Sequence, residues 1–207
     1  MARSSWCSHR NLSSTSETDG AAPIRHLLAV AARLPFRVSM NTSEILPYFQ
    51  NTFWLLLPII AFNVVFVRRL PRRYQTEVFW KNIPSWISVP ENLSRLLVFL
   101  LPLIMRFGPT SPSQQLGCWL YIGGISLYFA SWGAQIFWPE SPWSTSAAGF
   151  MGPSYTPILW LAGIGLIGDS LTIPKVPCRS WVYPVVAIIF LVFHNLHAWL
   201  VHGRYGV

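Results

Sequence analysis

Apolar residues fall in five long runs, at 45–67, 89–107, 116–138, 155–171 and 181–201, with polar and proline-rich segments between them. A helix crosses the hydrocarbon of a bilayer with about 20 residues, at about 1.5 Å of rise each. Lipid offers no hydrogen-bond partners, so a crossing chain must satisfy its own backbone as a helix or a closed barrel. These runs are continuous rather than alternating, which excludes the barrel. The pattern predicts an all-α fold: a polytopic membrane protein with a bundle of about five transmembrane helices.

Composition agrees. Charged residues make up 11% of the chain and hydrophobic residues 52%, whereas soluble domains carry about a quarter charged residues. The net charge of +8 suggests nucleic acid only until its distribution is considered. The basic residues cluster at the ends of apolar runs, as expected for orientation signals and anionic lipid headgroups. The partners expected are therefore the bilayer and its headgroups, with no nucleic acid. Trp54, Trp80, Trp86, Trp119, Trp138, Trp143 and Trp181 fall near predicted span ends, where rings with one polar atom favour the headgroup zone. Cys7, Cys118 and Cys178 are widely spaced and read as free thiols.

Residues 1–39 differ from the rest. They are rich in Ser, Ala and Arg, and their one apolar piece, 26–34, is too short to span and is interrupted by Arg33. Two readings stand: a disordered or transit-like leader, or a mis-assigned start with Met40 as the true one. The second is preferred, because Met40 to Glu44 lead directly into the first run. The division is then 1–39 and a five-span domain at 40–207.

Orientation follows from the loop between the first two runs. It holds Arg68, Arg69, Arg72, Arg73 and Lys81, which makes it cytoplasmic. The amino terminus is then outside and the carboxyl terminus inside, in what is expected to be a bacterial cytoplasmic membrane. Lys175 and Arg179 fall on the outer side, a smaller opposing signal. Within the second run, Ser88-Val89-Pro90-Glu91 reads as a capping box with Pro90 in the first turn. Glu91 and Arg95 then pair four residues apart. Only 96–105 is free of charge there, about 15 Å of helix, so a short re-entrant helix is the alternative to a full crossing. The loop 74–89 reads as an interfacial segment. The small, proline-punctuated stretch 139–153 reads either as a fold-back against the bundle or as a plain turn. Gly117, Gly123, Gly124 and Gly133 in the third run and Gly163, Gly165 and Gly168 in the fourth suggest close helix packing, and a route to oligomers through those faces.

One topology puts scattered polar residues at one depth. Asn63, Glu91, Arg95, Gln135, His194 and His197 all fall toward the inner ends of their spans, and intramembrane polar groups usually face the interior or a cavity. These six are the candidate ligand-binding residues, with Arg95 as the anchor for a headgroup. His194 and His197 share a helix face. Metal or haem ligation there is the minor reading, since no further ligands are evident; no cofactor is predicted. Asp169 falls at the opposite, outer end. No HExxH, GxSxG, Walker loop or CxxC occurs.

The leading function is a polytopic membrane protein of unknown activity with an inner-leaflet site for a lipid or amphiphile. Two alternatives are a membrane enzyme using Glu91, His194 or His197 in acid–base steps, and a non-catalytic subunit or scaffold of a membrane complex.

Overall fold

A computed structural model of the chain describes residues 50–168, 170 and 181–205. They belong to one unit, Asn41–Val207, and contain no β-strand. The readings made on residues 1–39, on the Met40 start, and on Cys7, Asp169, Lys175, Cys178 and Arg179 lie outside the described residues.

Eight α-helices are seen among the described residues: α1 (Leu57–Phe66), α2 (Thr76–Phe79), α3 (Ser85–Leu100), α4 (Pro112–Phe137), α5 (Pro142–Thr145), α6 (Ala147–Tyr155), α7 (Pro157–Ile167) and α8 (Val182–Tyr205). Short 3-10 turns extend α1 at both ends and follow α3. Three helical stretches are long and apolar enough to cross a membrane: Thr52–Arg69, Ala147–Ile167 and Val182–Arg204. The first is α1 with its 3-10 extensions, and the second is α6 and α7 taken together. Helix α3 has 16 residues and carries Glu91 and Arg95. Helix α4 is 26 residues long but mixes its apolar positions with Gln, Ser and Gly.

The surface is compatible with that of a membrane protein. Val64, Leu93, Ile122 and Ile188, one each on α1, α3, α4 and α8, are all more than half exposed. Large apolar surface is rare on soluble monomers, and exposed apolar side chains on four helices are compatible with a lipid surrounding. Trp54, Trp86, Trp119, Trp138, Trp143 and Trp181 are also exposed, whereas Trp80 turns inward against α8.

Inside, two helix pairs set the frame. Helices α4 and α7 lie against each other through glycines. A Cβ added to Gly124 would sit 2.4 Å from the Trp160 backbone nitrogen, and one on Gly163 would sit 2.7 Å from the Gly117 carbonyl. Only the missing side chains permit that approach. The space beside Gly123 and Gly133 is open. The second pair is α3 with α8. On α3 the buried residues are Ile87, Glu91, Ser94 and Val98, spaced four, three and four. On α8, Tyr183, Ala187, Phe190, His197 and Val201 are buried, and His194 continues the same four-three spacing. A repeat averaging 3.5 residues keeps one face toward a partner helix, so these two stripes meet as a seam.

Helix ends show where the local sequence was misread. Ser88 and Glu91 do not cap α3, because the helix begins a turn earlier, at Ser85. Pro90 therefore lies inside the helix and removes one backbone hydrogen bond. The capping box belongs instead to α4. The Ser111 hydroxyl accepts from the Gln114 N–H, and the Gln114 side chain accepts from the Ser111 N–H at 3.0 Å. The Gln114 amide also donates to the Ile167 carbonyl at 3.3 Å, tying the start of α4 to the end of α7.

The end of the bundle opposite the Tyr74–Asn82 turn is tied by the main chain. Thr52 N–H donates to Met105, Phe107 N–H to Gln50 and Arg106 N–H to Ser170, at 2.8–2.9 Å. The proline-punctuated segment folds back into the bundle as α5 and α6, with Ser144, Gly149 and Phe150 buried.

Candidate functional site

The α3–α8 seam places one carboxylate between two imidazoles. Glu91 is fully buried. Its Oε1 lies 2.9 Å from His194 Nδ1 and its Oε2 lies 2.6 Å from His197 Nδ1. One turn further along α3, the Arg95 guanidinium donates to Oε1. The three-residue spacing of the histidines and the four-residue spacing of Glu91 and Arg95 thus bring all four groups together. A buried carboxylate costs several kcal/mol in lost hydration unless it is paired and hydrogen-bonded. Here both oxygens are engaged.

The loop before α3 completes the arrangement. His197 Nε2 donates to the Phe79 carbonyl at 3.0 Å. The Phe79 and Trp80 rings rest on the His197 ring, with centroids 4.4 and 4.5 Å away. Arg95 lies over Trp80 at 5.4 Å and over Phe190 at 5.7 Å. Such contacts favour a guanidinium by about 0.5–2 kcal/mol each. Phe190 in turn stacks on His194. The loop is held down by Tyr74, whose hydroxyl donates to the Phe150 carbonyl at 2.8 Å. Burial raises the Tyr74 hydroxyl above the usual tyrosine pKa, against the lowering effect of Arg73. At the carboxyl end of α8, Arg204 donates to the Lys81 and Asn82 carbonyls, and Asn82 adopts a positive φ of 53° in that turn.

Beside the cluster is a cavity of about 280 Å³. Arg95 and His194 supply its charged or chargeable wall, while Tyr74, Trp80, Tyr128 and Trp132 supply much of the aromatic wall. Asn63 also lines it and accepts a hydrogen bond from Tyr128 at 3.1 Å.

The six sequence-derived residues therefore separate. Asn63, Arg95 and His194 line the cavity. Glu91 stands behind Arg95 and His194 and holds both, and His197 in turn holds Glu91. Gln135 lies apart, in a buried structural network: its amide donates to the Gly149 carbonyl at 2.7 Å, and its oxygen accepts from Arg73 at 3.3 Å. Its nitrogen fastens the α5–α6 fold-back to α4, and its oxygen ties in the turn that carries Arg73. Phe79, Trp80, Tyr128 and Trp132 were not foreseen. Among the described residues, no group of three or more His, Cys, Asp or Glu side chains is arranged to hold a metal ion. In the cluster itself, both Nδ1 atoms lie at hydrogen-bond distance from Glu91.

No known protein family, curated protein or solved structure matches the chain.

Proposed function

We propose that this chain is a five-span membrane protein whose inner-leaflet cavity holds the polar end of a lipid or small amphiphile. The observation that carries this reading is the cavity itself, where a guanidinium and an imidazole, fastened by a buried carboxylate, face a space otherwise walled by aromatic rings. A site of mostly apolar lining with a few fixed polar groups is the usual form of a small-molecule pocket. Its volume, just below the roughly 300–1,000 Å³ range, suits a headgroup or one short chain rather than a whole diacyl lipid.

The depth of the site rests on topology. Helices α3 and α4 expose apolar side chains, including Leu93, Leu96, Ile122 and Leu127, and we take them as the second and third crossings. Arg68, Arg69, Arg72, Arg73, Lys81 and Arg204 then share one side, facing Arg106 on the other among the described residues. The basic side is the cytoplasmic one, consistent with a bacterial cytoplasmic membrane. Glu91, Arg95, His194 and His197 lie nearer that side.

Native mass spectrometry of the extracted protein tests the reading. The expected result is a retained lipid or amphiphile, reduced in both Arg95→Ala and His194→Ala variants that still unfold cooperatively. Protein free of any retained molecule, and unaltered by either substitution, would overturn it.

A second reading has one specific observation in its favour. Glu91 orients His194 from behind while the imidazole edges the cavity, the arrangement of a carboxylate-supported general base. Incubation with a total lipid extract would then yield mass-shifted products that disappear in His194→Gln.

A further inference from the structure

We infer that the cavity is built for a ligand carrying a single negative charge. This rests on the proposed amphiphile site and specifies what that site accepts.

The argument is a proton count. The His197 ring lies between two oxygens, the Phe79 carbonyl at 3.0 Å and Glu91 Oε2 at 2.6 Å. A carbonyl oxygen can only accept, so Nε2 carries a hydrogen. The short contact at Nδ1 then needs a proton of its own. That proton is either on the ring, giving imidazolium and carboxylate, or on Glu91, giving neutral imidazole and carboxylic acid. The Glu91–His197 pair is neutral in both cases. His194 can serve Oε1 as a neutral ring through an Nδ1–H. Arg95 cannot lose its proton in a protein. The cluster therefore carries one net positive charge, although Arg95 touches a carboxyl group.

Among the described residues that charge has no other counterion nearby. Glu91 is fully committed, and the cavity wall contains no carboxylate among the described residues. Glu77 and Glu140 are exposed elsewhere. Arg95 is one-third exposed, and His194 one-fifth, so both can meet an occupant of the cavity. An uncompensated charge in a partly dehydrated site is costly, and a monoanion in the cavity removes that cost. The guanidinium fork suits a phosphodiester or a carboxylate in two-point contact. The same chemistry could come from a lipid headgroup or from a free organic anion.

The experiment compares the intact protein in nanodiscs of phosphatidylglycerol, a monoanion, and phosphatidylcholine, a zwitterion. Diethyl phosphate, a phosphodiester without chains, serves as the soluble competitor. The expected result is a preference of about tenfold or more for phosphatidylglycerol, which disappears in Arg95→Gln and survives in Arg68→Gln/Arg69→Gln. The Arg95→Gln cluster is neutral by the same count and should fold. If it does not, lipid-dependent thermal stabilisation of the unaltered protein gives the same preference without a variant. Equal binding of the two lipids, or a preference that persists in Arg95→Gln, overturns the charge assignment while leaving an amphiphile site standing. Arg95-dependent binding of diethyl phosphate with no lipid retained supports the charge assignment and overturns the amphiphile reading.

Discussion

Replacing Glu91 separates the geometry of the cluster from its charge. In Glu91→Ala, Arg95 loses its acceptor and both Nδ1 atoms lose theirs, at a position that is fully buried between the two helices. Removing one member of a buried ionic group costs about 3–5 kcal/mol, because its partners are left unpaired. The better helix propensity of alanine returns only a few tenths of this. For a chain of this size, about 2–4 °C is lost per kcal/mol, so thermal unfolding should fall by about 10 °C. Glu91→Gln should behave differently. Its amide oxygen can accept from Arg95 and His194. Its amide nitrogen can donate to His197 Nδ1, while His197 keeps its Nε2–H on the Phe79 carbonyl. Every contact survives and the net charge stays at one, so the loss should be within about 1 kcal/mol. Tryptophan fluorescence during heating, in a single detergent or nanodisc, measures both. Glu91→Gln as unstable as Glu91→Ala would refute the proton count. Glu91→Ala as stable as the unaltered protein would refute the importance of the cluster altogether.

Three further outcomes are expected. Gly124→Ala should destabilise by about 1–3 kcal/mol, because its Cβ meets the α7 backbone at 2.4 Å; Gly123→Ala, facing open space, should be neutral or stabilising by up to about 1 kcal/mol, with paired thermal melts giving the comparison. Tyr74→Phe should lose about 1 kcal/mol at neutral pH with its hydrogen bond to Phe150. Because burial raises the folded-state pKa of Tyr74, its stabilising contribution is complete below the ordinary tyrosine value of about 10 and fades above it, so stability profiles of the two proteins should converge in alkali. Cysteines introduced at Lys81 and Thr110 should label from opposite sides of the membrane in oriented vesicles; labelling from the same side would remove the topology on which the inner-leaflet site depends.

The helical class was readable because long apolar runs leave the backbone no alternative in lipid. The site was only half readable. Common depth brought out Asn63, Arg95 and His194, but depth alone also admitted Gln135, whose hydrogen bonds fasten the α5–α6 segment. What separates them is helix rotation, and the sequence carried a signal for it that was overlooked. Residues 87, 91, 94 and 98, and 183, 187, 190, 194, 197 and 201, share one four-three spacing, which sets Glu91 and both histidines on facing stripes. The helix starts illustrate a second limit. Ser88-x-x-Glu91 and Ser111-x-x-Gln114 both fit the capping pattern, and only the second caps, because the apolar pattern of α3 already begins before Ser88. Phe79 and Trp80 could not be anticipated, since their role depends on how a loop folds over a helix more than a hundred residues away.

The main-chain ties around Thr52 and Arg106 have a mechanical consequence. Backbone amides and carbonyls carry no titratable proton, so the junction of Gln50–Thr52, Met105–Phe107 and Ser170 keeps its strength across pH and ligand occupancy. The opposite end is joined by side chains, through Arg73, Arg204, Glu91 and the histidines, all of them charged or chargeable groups. The bundle therefore has a fixed end and an adjustable end. Amide exchange should accordingly be slowest at Thr52 and Arg106 and faster along the turn from Tyr74 to Asn82.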